Sequence, residues 1–182
     1  MALATANLLA SLFTLVVAIA VAAWYLAPAL RRRPLADALT LLLWFHAFRY
    51  IALQIFSAAE VGGLQASTSA QRAIAFGDAG TAALAIVTLV VLRRRLPVGR
   101  ALAWGVALVG TADLVSATVV GIQGNLTDTA TDWSWMILAV YVPVLWVTTV
   151  MLIWQLVSRR REPVALVTGS AVAAGAPGAR ST

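Results

Sequence analysis

The chain has 182 residues, 62% hydrophobic and 11% charged, with a mean hydropathy of +0.90. Soluble domains run about 45–50% apolar and 25% charged, so this composition excludes a soluble globular protein and points to an all-α, polytopic integral membrane helical bundle. The net charge of +6 comes from thirteen arginines, with no lysine and no cysteine, which excludes a rhodopsin-type lysine Schiff base, disulfides, thiolate chemistry and Cys-based metal or iron–sulfur sites within the chain.

Five apolar stretches follow in chain order, about 7–27, 38–57, 73–92, 101–122 and 133–157, each near the ~20 residues that a helix needs to cross ~30 Å of hydrocarbon. Span one lacks the basic n-region of a signal peptide and runs straight into Arg31-Arg32-Arg33, a stop-transfer flank, so it is expected to be retained as a helix. Eleven of the thirteen arginines follow spans one, three and five, at Arg31–Arg33, Arg93–Arg95 with Arg100, and Arg159–Arg161 with Arg180. The loops 58–72 and 123–132 hold only Arg72. The positive-inside rule therefore predicts five transmembrane helices with the N-terminus outside and the C-terminus cytoplasmic. A nucleic-acid partner is not expected, because the arginines flank apolar spans and do not spread over a solvated face interleaved with aromatics. The use of arginine without lysine, with abundant alanine, fits a GC-rich bacterial genome, so the expected location is the bacterial cytoplasmic (plasma) membrane. Residues 1–161 read as one transmembrane domain, and 162–182, rich in Ala, Gly, Ser and Pro, read as a disordered cytoplasmic tail.

Local signals agree with these spans. Trp24, Tyr25, Trp104 and Trp154 fall near inner boundaries, and Trp133 and Trp135 near an outer one, as interfacial aromatic belts require. Trp44 and Trp146 lie deeper, where they either line a cavity or, as the preferred reading, pack against lipid or a neighbouring helix. Asp37, the run Ser67-Thr68-Ser69 and Asp132 stand where a first helical turn has unpaired N–H groups, so each is expected to cap a helix. Small residues recur on span three at Ala73, Gly77, Thr81 and Ala85, and less completely on span four at Ala101, Gly105, Ala112 and Ser116. Such stripes let helix backbones approach closely, so spans three and four are expected to pack on each other or on a second copy of the chain. Pro143, inside span five, lacks the N–H that would bond the Ala139 carbonyl, which predicts a kink.

Four ionisable residues and one tyrosine interrupt the apolar spans: His46 and Arg49 in span two, Asp78 in span three, Asp113 in span four and Tyr141 in span five. A charge at the centre of a membrane helix costs roughly 2.5–3.5 kcal/mol, so these groups are expected to face one another or a wet cavity. Counted inward from the outer boundaries at 1.5 Å per residue, Asp78 lies at about 8 Å, Arg49 and Tyr141 at about 12 Å, Asp113 at about 14 Å and His46 at about 17 Å. Side chains lean toward the N-terminus of their helix, so Arg49 and Asp113 both lean toward the midplane and form the preferred ion pair. Asp78 leans the other way, either to share the planar guanidinium or to sit in the mouth of a cavity. Helical spacing places His46, Arg49, Tyr50, Leu53 and Ser57 on one inward stripe.

Three functions compete on these residues. One is a structural or accessory membrane subunit in which the Arg/Asp/His network sets helix register and partner choice, with the bilayer and a homo-oligomeric or heterologous membrane subunit as partners. A second is a small permease or channel for a proton, an anion or a polar solute, built on one permanent cation, two carboxylates and an imidazole. A third is a membrane enzyme or a quinone- or lipid-binding protein, with His46 as acid–base and Arg49 on an oxygen anion. No nucleophile motif, phosphate loop or metal-ligand spacing accompanies these residues, so no catalytic residue, metal or cofactor is predicted, and the reading leans away from an enzyme.

Overall fold

The computed structural model describes residues 3–54, 68–125 and 132–164, with Phe56, Asp128 and Ala130. The predicted tail beyond residue 164 and Ser57 lie outside the described residues. Five helices are long and apolar enough to cross a membrane: α1 (Leu3–Arg31), α2 (Leu35–Gln54), α3 (Thr68–Arg93), α4 (Gly99–Gln123) and α5 (Trp133–Ser158). There is no strand among the described residues. α3 packs along α4 and α2, α5 packs on α1, α2 and α4, and α1 is peripheral. Only 11% of the residues in the apolar window of α1 are fully buried, so much of its apolar surface is left uncovered by the rest of the bundle.

Two prolines shape the helices that hold them. Pro28 in α1 is preceded by a π turn over Ala22–Leu26, and Pro143 in α5 by one over Ile137–Tyr141. In each the residue just before the proline bonds five residues back, Ala27 N–H to the Ala22 carbonyl and Val142 N–H to the Ile137 carbonyl. A proline ring clashes with the carbonyl four residues earlier, and a widened turn moves that carbonyl aside. The distortion expected at Pro143 thus takes the form of a π turn. The Leu138 carbonyl, five residues before Pro143, lies 3.4 Å from the Ser11 hydroxyl of α1, which shares its one proton between it and the nearer Asn7 carbonyl at 2.9 Å.

The second departure lies in α2, which is α-helical over Leu35–Ala47 and continues as a 3₁₀ helix over Phe48–Gln54. Three residues per turn replace 3.6, so the buried positions step by three. His46, Arg49 and Ala52 are buried, whereas Tyr50 and Leu53 face outward. The predicted inward stripe is corrected here: His46 and Arg49 belong to it, Tyr50 and Leu53 do not, and Ala52 takes their place.

The α3–α4 contact is likewise half of what the small-residue stripes imply. Thr81 and Ala85 of α3 are fully buried, but α4 turns Ala103, Val106, Ala107, Gly110 and Leu114 inward and leaves Ala101, Ala112 and Ser116 exposed. Gly105 is the member of the predicted α4 stripe that does meet α3, where an added Cβ would stand 3.8 Å from Leu84 Cδ2, so a search for small residues alone finds one position of four.

The arginine-rich end is closed by a strap of charged groups. Arg159 donates to the Leu30 and Arg33 carbonyls at 3.2 and 2.8 Å and to both oxygens of Glu162. Glu162 in turn accepts the Leu35 N–H at 2.8 Å, at the start of α2. Arg100 donates to the Arg159, Arg160 and Glu162 carbonyls beyond the end of α5. Residues 162–164, placed with the tail by composition, are therefore packed, with Val164 in the apolar core. The expectation that Asp37 caps α2 is corrected: Pro34 holds the cap position, Glu162 binds the first free N–H, and Asp37 pairs with Arg95 at 2.6 Å. Of the other expected caps, Thr68 opens α3 and Asp132 the first turn of α5, and Ser67 lies outside the described residues.

Partial burial by itself would raise the Glu162 carboxyl, but hydrogen bonds from Arg159 and from the Leu35 amide outweigh it and hold the group below its ordinary 4.5. A lowered carboxyl stabilises the fold above its unfolded value, and the effect is lost as the pH falls through the folded one. Glu162→Gln is accordingly expected to lower the melting temperature at neutral pH, and the gap to wild type is expected to close on acidification below 4.5. A gap that acid leaves unchanged would remove Glu162 from this role.

Candidate functional site

A dense apolar core and an apolar cavity divide the bundle between them. The core, with Leu35, Leu39, Leu42, Leu89, Val106 and Leu152, fills the arginine-rich half. The cavity, about 600 Å³, lies in the opposite half, walled mainly by α1, α3, α4 and α5, with Ala52 of α2 at its edge. Arg49 stands at the boundary. The tightening of α2 into 3₁₀ winding carries its side chain onto the face of α3 and α4, where it is 0% exposed.

Each nitrogen of the guanidinium has its own acceptor. Nε donates to Asp78 Oδ1 at 2.5 Å, Nη2 to Asp113 Oδ2 at 2.6 Å and Nη1 to the Gly110 carbonyl at 3.1 Å. Arg49 thus bonds α2 to α3 once and to α4 twice. The two carboxylates keep 13% and 12% of their side-chain surface exposed. The choice left open for Asp78 has a double outcome, since it shares Arg49 with Asp113 and also lines the cavity.

Two glycines make room for this arrangement. A Cβ on Gly77 would overlap Asp113 Oδ1 and stand 3.0 Å from its Cγ. The carboxylate therefore rests on the bare backbone of α3. A Cβ on Gly110 would meet Arg49 Nη1 at 3.1 Å and Thr81 Cγ2 at 3.3 Å. Gly110 was legible in principle, because it lies three residues before Asp113 on the same helical face. Its use as an acceptor was not, since any residue has a carbonyl.

His46 lies one turn before Arg49, fully buried, and neither ring nitrogen has a hydrogen-bond partner among the described residues. Tyr141 lines the cavity and donates its hydroxyl to the Phe45 carbonyl at 2.7 Å, near the turn where α2 changes winding. No hydrogen bond joins either of them to the two aspartates. The structure therefore brings together three of the five expected residues, Arg49, Asp78 and Asp113, and holds His46 and Tyr141 around them with other roles. Among the described residues no group of three His, Asp or Glu side chains is placed to hold a metal ion.

Residues 6–157 match a family described as Domain of unknown function (DUF8737), and the chain belongs to that family. Comparison with curated proteins and with solved structures returns no match.

Proposed function

We propose that this chain is a multi-pass protein of the bacterial cytoplasmic membrane, N-terminus outside and C-terminus inside, that serves as a structural or accessory subunit without chemistry of its own. The observation that carries this reading is the seclusion of Arg49: it has no exposed surface, and each of its three nitrogens makes a hydrogen bond to α3 or α4. A guanidinium that binds a passing solute must exchange partners with water or cargo. Here every guanidinium nitrogen holds an acceptor on another helix and none is exposed, which is what an internal lock requires. The sidedness rests on the gathering of the arginine triplets at one end of the bundle. The exposed length of α1 supports contact with lipid or with a further membrane subunit.

One reconstituted preparation tests both parts. The purified protein in liposomes is expected to pass protons and small anions no faster than empty vesicles. Flux that Arg49→Gln, Asp78→Asn and Asp113→Asn each abolish would overturn the accessory reading in favour of a permease. Because the chain has no cysteine, single cysteines report sidedness directly. Gln123→Cys should react with an impermeant maleimide on intact cells and Ser158→Cys only after permeabilisation, and the reverse pattern would sink the orientation.

A further inference from the structure

The lining of the cavity is not matched to the lock beside it. Leu12, Ile74, Leu114 and Leu138 are typical of walls drawn from four helices, and Asp78 is the one charged residue among the described residues that line it. Asp78 belongs to a cluster of one guanidinium and two carboxylates, so after Arg49 is counted one formal negative charge is left over. Among the described residues no cation lines the wall to balance it. Trp146 and Tyr141, whose ring faces attract cations, also line the cavity. The volume falls within the ~300–1,000 Å³ of sites that enclose a small organic molecule.

From this juxtaposition we infer that the cavity is a binding site for lipophilic monovalent cations, of the quaternary ammonium or phosphonium class, with Asp78 as counter-ion and Trp146 and Tyr141 as aromatic walls. The chemistry selects this class on both sides. An anion would meet an uncompensated carboxylate in an apolar enclosure. A small hydrated cation would have to shed water that one carboxylate cannot replace, at a desolvation cost of tens of kcal/mol for a bare ion by Born arithmetic. A cation whose charge is wrapped in apolar substituents carries almost no bound water, gains apolar burial, and is the kind of ion that aromatic walls hold well. This goes beyond the structural reading of Arg49, which supplies only the fixed position of Asp78.

The test uses two probes of one shape and opposite charge, tetraphenylphosphonium and tetraphenylborate, added to the full chain in a neutral detergent and followed by tryptophan fluorescence and calorimetry. Tetraphenylphosphonium is expected to bind saturably near one equivalent, and tetraphenylborate not to saturate over the same range. Asp78→Asn should weaken the phosphonium at least tenfold. Ala117→Trp, which adds bulk to the cavity wall on α4 at a residue that is not a hydrogen-bond partner of Arg49, should abolish binding while leaving the melting temperature within a few degrees of wild type. If Asp78→Asn fails to fold, the charge comparison and Ala117→Trp decide the matter between them. Equal binding of the two probes, no binding of the phosphonium, or binding that survives Ala117→Trp overturns the assignment; these outcomes include a cavity filled by bilayer acyl chains or by another segment of this chain. The flux of protons and anions is read separately, so failure here leaves the accessory reading standing.

Discussion

Arg49→Leu is expected to destabilise the protein by about 3–5 kcal/mol, the size of effect seen when one partner of a buried ion pair is removed and the other is left uncompensated. Two carboxylates would then face each other across α3 and α4, and the Gly110 carbonyl would lose its donor. Arg49→Lys should recover only part of the loss, since a single ammonium is a point donor and cannot reproduce a planar fork aimed at three acceptors. The triple variant Arg49→Met, Asp78→Asn, Asp113→Asn should be markedly more stable than Arg49→Leu, because it removes the charges together. Unfolding in mixed micelles, followed by circular dichroism against denaturing detergent, measures all four proteins. A single variant within about 1 kcal/mol of wild type would show that the lock contributes specificity without stability.

Gly77→Ala is expected to be as damaging as a substitution of one hydrogen by one methyl can be, while Gly80→Ala, one turn along the same helix, is expected to stabilise. At Gly77 the added Cβ overlaps an oxygen of Asp113, which cannot swing away without breaking its bond to Arg49. Overpacking of this kind costs about 1–3 kcal/mol, and the disturbed ion pair adds to it. At Gly80 nothing lies within 4 Å of the new methyl, and the exchange gains the helix propensity of alanine, up to about 1 kcal/mol. The two variants differ in the sign of their effect although they make the same exchange one turn apart. Melting temperatures that move in the same direction would contradict the placement of Asp113 against α3.

The comparison of these glycines shows where sequence reasoning stops. Gly77 and Gly80 share a helix, and the small-residue stripe picks out Gly77 as a packing position, but that the neighbour it makes room for is the Asp113 carboxylate is decided by α4. The same limit appears in α2. A period of 3.6 places Tyr50 and Leu53 beside Arg49, and the 3₁₀ winding over Phe48–Gln54 rotates them outward and brings Ala52 in. Hydrogen-bond register between i+3 and i+4 differs little in local energy, so packing against α3 settles it. Glu162 is a third case: no local pattern marks it as the cap of a helix that begins at Leu35, because the partners are 127 residues apart.

What the sequence determined by itself was the part that follows from transfer free energy along one segment at a time. Hydropathy and length set the five apolar helices, and the cost of charge in hydrocarbon marked Arg49, Asp78 and Asp113 as residues that need partners. Tertiary structure decided which partners they have, that Asp78 serves the guanidinium and the cavity at once, that α4 presents Gly110 and Leu114 rather than Ala112 and Ser116, and that His46 and Tyr141 stand beside the ion pairs and not within them. The reason is physical: burial along a helix depends on that helix's own composition, whereas the direction of a fork, the room left by a missing Cβ and the gap between four helices depend on rotations that the whole bundle fixes together.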